Sequence, residues 1–93
     1  MITEKDLMLP FLQIIASGSG MATREVRSKL EETLNLSEED IQENPSTNYP
    51  RWYQIINNLR SNKTLEKRGL ARFENRKWYI TDLGLEMLIY AKQ

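Results

Sequence analysis

The sequence predicts an α+β fold that is mostly helical, with four to five helices and a short two-stranded β-hairpin. Three observations lead to this prediction. Apolar residues recur at helical spacing over most of the chain, residues 70–80 change to the alternation typical of strands, and cap residues or glycines separate the segments. The 93 residues, 40% of them hydrophobic, suffice for one core, so we expect residues 1–93 to form a single domain.

Three helices are expected in the first half of the chain. The first has two alternative N-caps, Thr3 and Asp6, and Pro10 kinks this helix if Thr3 is the cap. Thr23 is the expected N-cap of the second helix. Ser37 begins a short third helix, because an acidic residue three positions later completes a capping box.

A longer helix is predicted over Pro50–Lys67, since its apolar residues as far as Leu59 share one face. The next apolar residue, Leu65, falls about 120° away from that face on a continuous helix. Two explanations stay open. Either the helix ends or kinks near Ser61–Asn62, or Leu65 packs into a second part of the core.

A β-hairpin follows this helix. Its expected strands are Leu70–Phe73 and Lys77–Ile80, joined by the three-residue connection Glu74–Arg76. Strand alternation predicts that Phe73, Trp78 and Ile80 face the core. Thr81 then caps a last helix. A helix followed by such a hairpin makes the predicted fold a winged helix-turn-helix, with the hairpin as its wing.

Charge is segregated along the chain, although the net charge is zero. Residues 1–50 carry four basic and nine acidic side chains, a net charge of −5. Residues 51–81 carry eight basic and two acidic side chains, a net charge of +6. Residues 82–93 carry one basic and two acidic side chains, a net charge of −1. The segment 51–81 can therefore present a basic face to phosphates in a protein that is neutral overall.

The composition argues against enzymatic chemistry. The chain has no histidine and no cysteine, so it lacks the usual general base, the thiolate nucleophile and the commonest metal ligands. It also has no glycine-rich phosphate loop. We therefore expect no catalytic site, no metal and no cofactor. With no apolar run of about 18 residues and no signal peptide, we expect a cytoplasmic protein without a membrane span.

The candidate DNA-binding residues lie between Arg51 and Thr81. Asparagine and glutamine can bind the adenine edge in the major groove, so the polar face of the long helix is the expected base reader. Its residues are Arg51, Gln54, Asn57, Asn58 and Ser61. The alternative is that these amides only solvate an exposed face. Expected contacts to the DNA backbone, from the helix end and the wing, are Arg60, Lys63, Lys67, Arg68, Arg72, Asn75, Arg76 and Lys77.

Several short stretches occur in a specific order along the chain: Leu7–Pro10, Arg24–Val26, Leu36–Glu39, Leu65–Leu70, and Trp78–Thr81 followed by Gly84 and Leu88. In this order the sequence resembles the N-terminal winged-helix domain of Mrr-type restriction proteins over nearly its whole length. The resemblance implies a DNA-recognition module placed before a nuclease domain that cuts modified, often methylated, DNA. Members of the family tend to carry a Trp-Ala pair where this chain has Arg60–Asn62. This chain therefore departs from the family pattern in the helix that is expected to read DNA.

Duplex DNA is thus the leading expected partner, together with a C-terminal nuclease domain of a full-length protein. Two other functions stay open. A transcriptional regulator with the same fold would pair into a homodimer, which we expect through helices 1 and 4. A protein-interaction winged helix would use its basic face to bind an acidic partner.

Overall fold

The computed structural model describes residues 2–91, so only Met1, Lys92 and Gln93 of the predicted domain lie outside the described residues. Within this range the chain forms the α+β winged-helix arrangement that the sequence predicts, with six helices where four to five were expected. The elements are α1 (Glu4–Ile14), α2 (Thr23–Thr33), α3 (Glu38–Ile41), α4 (Tyr53–Ser61), α5 (Thr64–Lys67), β1 (Ala71–Glu74), β2 (Lys77–Ile80) and α6 (Asp82–Ala91).

Helix α1 lies at the centre of the domain and packs against α2, α4 and α6. The core that surrounds it draws apolar side chains from both strands and from every helix except α3. Its largest members are Trp52, Trp78 and Phe11, all about 1% exposed or less. No helix within residues 2–91 is long and apolar enough to cross a lipid bilayer.

The N-terminus of α1 resolves the choice between its two candidate caps. Thr3 is the N-cap, because its hydroxyl accepts a hydrogen bond from the backbone N–H of Asp6, whose carboxylate accepts one from the N–H of Thr3. Pro10 therefore lies inside α1, where it cannot donate a backbone hydrogen bond.

The capping box predicted for α3 is confirmed. Ser37 and Asp40 exchange the expected hydrogen bonds, and the buried Asp40 carboxylate also accepts one from the N–H of Ile2 at 3.0 Å. Burial alone would raise the pKa of Asp40, but the hydrogen bonds from Ser37 and Ile2 outweigh that effect and hold the pKa below its usual value. The carboxylate thus ties the start of the chain to α3.

The predicted cap of α2 is wrong. Ala22 occupies the N-cap position without a side-chain hydrogen bond, and Thr23 is the first helical residue. The Thr23 hydroxyl instead accepts a hydrogen bond from the indole Nε1 of Trp78 at 2.8 Å. A buried indole N–H needs an acceptor, and the hydroxyl of Thr23 provides it.

The helix predicted over Pro50–Lys67 begins later, at Tyr53, and is interrupted, which is one of the two explanations that stayed open. The chain has helical geometry over Tyr53–Ser61 and again over Thr64–Lys67, and Lys63 between them has a left-handed φ of 52°. This is the break that the sequence left open near Ser61–Asn62. It redirects the chain so that Leu59 and Leu65 are both fully buried in the same core, although their side chains would lie about 120° apart on one straight helix.

The side chain of Glu4, in α1, stabilises the break between α4 and α5. The carboxylate of Glu4 accepts hydrogen bonds from the amide of Asn62 at 3.2 Å and from the hydroxyl of Thr64 at 2.6 Å. Both partners flank the left-handed residue Lys63. These two contacts help to offset a backbone conformation that non-glycine residues rarely adopt.

The wing is a hairpin with a two-residue turn, rather than the predicted three-residue connection. Glu74 pairs with Lys77, and Asn75 and Arg76 both have positive φ, 51° and 63°. This is the backbone of a type I′ turn, which matches the twist of the flanking strands. Arginine is an unusual residue at its second central position, where glycine is preferred.

The inward face of the wing is as predicted. Phe73 and Trp78 pair across the hairpin on the core side, and Ile80 shares that side. The backbone of Trp78 also bonds on its other side to Met21, with N–O distances of 2.8 and 3.1 Å. Strand β2 therefore lies between β1 and the segment that precedes α2, so the wing is attached to the helical part of the domain.

Candidate nucleic-acid interface

The exposed face of α4 carries most of the predicted base-reading residues. Gln54, Asn57 and Ser61 are exposed and lie three and four positions apart, on one side of the helix. Asn58 is half-buried, and its side-chain oxygen accepts a hydrogen bond from Nε2 of Gln54 at 3.0 Å. The exposed side of α4 is therefore polar, and one hydrogen bond between two of its amides joins neighbouring turns.

Arg51 lies outside this helix, in the turn before α4. Its backbone N–H donates to the carbonyl of Gln42 at 2.9 Å, which fixes the turn against the loop after α3. The side chain is half-buried beside Glu38 and Glu39, and its Nε has no hydrogen-bond partner within the described part of the chain. Arg51 therefore flanks the amide face at its N-terminal end.

A cleft between α4 and the wing brings together two of the predicted cations. Arg60, from the last turn of α4, and Arg76, from the turn of the wing, line it together with Phe73 and Thr23. The guanidinium carbon of Arg60 lies 5.8 Å from the centroid of the Phe73 ring. No carboxylate lines this cleft, so it is a site of concentrated positive charge.

The outer face of the wing is less basic than its sequence indicates. Arg72 forms an ion pair with Glu74 at 3.3 Å, and its guanidinium also lies over the ring of Tyr79, 5.4 Å from the centroid. Both partners of this ion pair are more than half exposed, so it contributes little to stability, but it holds Arg72 along the strand. The charge at the tip comes mainly from Arg76 and Lys77, both exposed, beside the exposed Asn75.

The remaining predicted cations lie on and after the helix break. Lys63 and Lys67 are exposed at the break and on α5. Arg68 lines a separate groove between α1, α5 and α6, whose other residues include Glu4 and Met87. The structure therefore brings Arg60 and Arg76 together but does not gather all eight predicted contacts in one place.

A polar pocket at the N-terminal half of α4 was not predicted from the sequence. Gln54 and Asn57 form one wall, and the rest comes from α2 and from the loop before α4: Arg27, Asn44, Thr47, Tyr49, Pro50, Arg51 and Tyr53. Arg27 is separated from Tyr53 by more than twenty residues, and the charge pattern assigned it to the acidic half of the chain. No local pattern pointed to this contact.

The segment that contains α4 and the preceding residues of the pocket carries basic but no acidic side chains. Residues 44–65, which include the loop residues that line the pocket and all of α4, contain Arg51, Arg60 and Lys63 but no aspartate or glutamate. A helix face that only needs to be soluble usually mixes charges of both signs. An acid-free face with cations at both ends instead suits a polyanion.

Within residues 2–91, no three or more carboxylates are placed so that they could hold a metal ion. The candidate interface offers hydrogen-bonding amides and guanidinium groups, which are suited to binding.

Comparison with known proteins adds one finding. The family model described as the Mrr N-terminal domain matches residues 5–89, a range that takes in α2 to β2 completely and nearly all of α1 and α6. No curated protein and no solved structure matches the chain significantly.

Proposed function

Because the chain belongs to the Mrr N-terminal domain family, we propose that it is the DNA-recognition module of an Mrr-type restriction system. In this proposal the chain binds duplex DNA and performs no chemistry of its own. A nuclease domain of the same system supplies the cleavage. A cytoplasmic location is part of the same proposal.

The observation that best supports this proposal is the surface of α4. Its exposed amides form an acid-free face, with Arg51 before the helix and Arg60 in its last turn. A helix of nine residues is about 13.5 Å long, and the major groove is about 12 Å wide, so α4 can lie across the groove and reach both borders. The amides of Gln54 and Asn57 then meet base edges, where such groups pair best with adenine.

The wing supplies a different kind of contact. Arg76 and Lys77 at its tip are long cationic side chains without a carboxylate in the adjoining cleft. Such side chains bind phosphates or enter a minor groove, and they fix the position of the protein rather than the sequence it reads. Arg60 joins them at the C-terminal end of α4. Base readout and backbone positioning are thus divided between α4 and the wing.

Titration of a labelled duplex at several salt concentrations tests this proposal. If about four to six phosphates are neutralised, log affinity should fall with log salt at a slope of about −4 to −5, since each phosphate contributes about 0.9. Poly-glutamate serves as the control, because a surface that binds any acidic polymer would have the same affinity for poly-glutamate as for duplex DNA. Absence of duplex binding at low salt, or equal affinity for poly-glutamate, would contradict the proposal.

One observation favours a second candidate function, that of a homodimeric winged-helix regulator. Most of the exposed large apolar side chains in residues 2–91 lie on α6: Leu83, Leu85, Ile89 and Tyr90. Leu85 and Ile89, four positions apart, share one side of α6, whereas the apolar residues of α1 and α4 are mostly buried inside the domain. The pairing surface of such a regulator would therefore lie on this side of α6 rather than on helices 1 and 4.

Solution mass separates the two functions. The DNA-recognition module should sediment as a monomer at micromolar concentration, since nothing in its binding surface requires a second copy. A regulator that reads paired half-sites should sediment as a dimer. In that case Leu85→Glu combined with Ile89→Glu should return it to a monomer, because two charges on an apolar contact cannot be buried without a large desolvation cost.

A further inference from the structure

The loop before α4 is held by backbone hydrogen bonds. Residues Glu43 and Pro50 pair in an antiparallel bridge, and the N–H of Asn44 donates to the carbonyl of Tyr49 at 2.8 Å. At the tip, the side-chain oxygen of Asn44 accepts from the N–H of Ser46 at 2.9 Å. This loop, residues 43–50, stands beside the N-terminal half of α4 and forms one wall of the polar pocket.

Arg27 of α2 forms the opposite side of this pocket, and its position is well defined. Its guanidinium carbon lies 4.4 Å from the centroid of the Tyr53 ring, which also stacks with the exposed Tyr49 at 5.8 Å. The Tyr53 hydroxyl donates a hydrogen bond to the carboxylate of Glu31. Partial burial, together with this hydrogen bond, raises the pKa of Tyr53. The ring is thus a fixed platform for the guanidinium.

The charge of Arg27 is available to a ligand. The one ion pair found within residues 2–91 joins Arg72 and Glu74, so Arg27 is not engaged in one. The Tyr53 hydroxyl donates to one oxygen of the Glu31 carboxylate, and Glu31 is not among the residues that line the pocket. All residues that line the pocket are either cationic or uncharged, and they offer hydroxyl and amide donors beside the two guanidinium groups.

We propose that Arg27 and the loop 43–50 form a second phosphate-binding surface, which holds the DNA strand bordering the major groove at the N-terminal end of α4. This inference rests on the proposed function. Because α4 is about as long as the groove is wide, its two ends meet different strands. In this arrangement Arg60 and Arg76 contact phosphates of the DNA strand at the C-terminal end of α4. Among the contacts predicted from the sequence, only Arg51 lies near the DNA strand at the N-terminal end.

The chemistry of the pocket favours a phosphate over a base. A guanidinium held over an aromatic ring points its remaining N–H donors outward in a planar fork, a geometry that suits phosphate oxygens. The Tyr53 ring is covered on two sides, by Arg27 and by Tyr49, so neither of these faces is free to stack a base.

Paired substitutions on α2 test the proposal. Arg27→Gln should lower duplex affinity about fivefold to tenfold and reduce the salt slope by about 1, because one phosphate contact is lost. Arg24→Gln is the matched control: it removes the same charge from the same helix, but Arg24 is exposed and lines a different surface, next to Glu25 and Glu32. Arg27→Lys, which keeps the charge, should retain most of the salt slope.

A second pair, one residue on the loop and one on α3, adds a negative charge instead of removing a positive one. Tyr49 is 60% exposed and lines the pocket, whereas Ile41 is 54% exposed and does not. Tyr49→Glu should weaken binding about tenfold through repulsion of the phosphate, and Ile41→Glu should change it less than twofold. Thermal melting of all five variants verifies that each is folded.

The outcomes separate the two proposals. If the unmodified chain binds duplex DNA with the expected salt slope, but Arg27→Gln behaves like Arg24→Gln and Tyr49→Glu behaves like Ile41→Glu, the second phosphate surface is refuted and DNA binding stands. If the unmodified chain does not bind duplex DNA at low salt, the proposed function itself fails and this inference fails with it.

Discussion

Replacing Arg60 and Arg76 together by glutamate should lower duplex affinity by about 100-fold or more, because two phosphate contacts become two repulsions. The two arginines line one cleft between α4 and the wing, and no carboxylate among residues 2–91 lines that cleft to moderate the change. Both side chains are exposed, so the fold should tolerate the substitutions. Fluorescence anisotropy with a labelled duplex measures the loss.

A matched double variant controls for the change in net charge. Arg24→Glu with Arg68→Glu alters the charge by the same amount, but Arg24 is on the outer surface of α2 and Arg68 lines the groove between α1, α5 and α6. We expect this variant to lose less than about tenfold in affinity, through the long-range field alone. Equal losses for the two double variants would show that the cleft has no special role.

A single change in the wing turn separates binding from stability. Arg76 has a φ of 63°, a conformation that costs a non-glycine residue roughly 1 kcal/mol. Arg76→Gly should therefore raise the free energy of unfolding by up to about 1 kcal/mol while it weakens duplex binding. A strained arginine at the tip of a basic wing is consistent with selection for its side chain rather than for the turn.

Gly84→Ala should destabilise the domain by about 2–4 kcal/mol, although alanine is the better helix former. Gly84 is buried in α6, and a Cβ atom there would lie 2.3 Å from the carbonyl oxygen of Leu70 and 2.8 Å from Cγ1 of Ile80. The oxygen belongs to the backbone that leads into β1, so it cannot move aside as a side chain would. Helix α6 would have to shift away from the wing.

Gly18→Ala provides the contrast. Gly18 has a φ of 76°, yet no atom lies within 4 Å of the position of its Cβ. The cost should be limited to backbone strain of about 1 kcal/mol. Urea denaturation with an unchanged m-value compares the two variants. If Gly84→Ala were no less stable than Gly18→Ala, the close packing of α6 against the start of β1 would not be a determinant of the fold.

The sequence by itself determined the order of the elements and the features that arise from neighbouring residues. The capping box of Ser37 and Asp40 and the inward face of the wing were predicted correctly, because caps and strand alternation depend on residues a few positions apart. The resemblance to the Mrr N-terminal domain was confirmed in the same way, since it rests on the order of short stretches.

Only the tertiary structure decided where long-range partners compete with local patterns. Thr23 is the first helical residue rather than the cap, and its hydroxyl accepts from the distant indole of Trp78. Helix α4 ends at Ser61, and the break after it lets Leu59 and Leu65 enter the same core. The pocket formed by Arg27 and the loop 43–50 likewise depends on contacts between residues more than twenty positions apart. These residues meet only once the chain has folded, so the spacing of neighbouring residues does not predict their contacts.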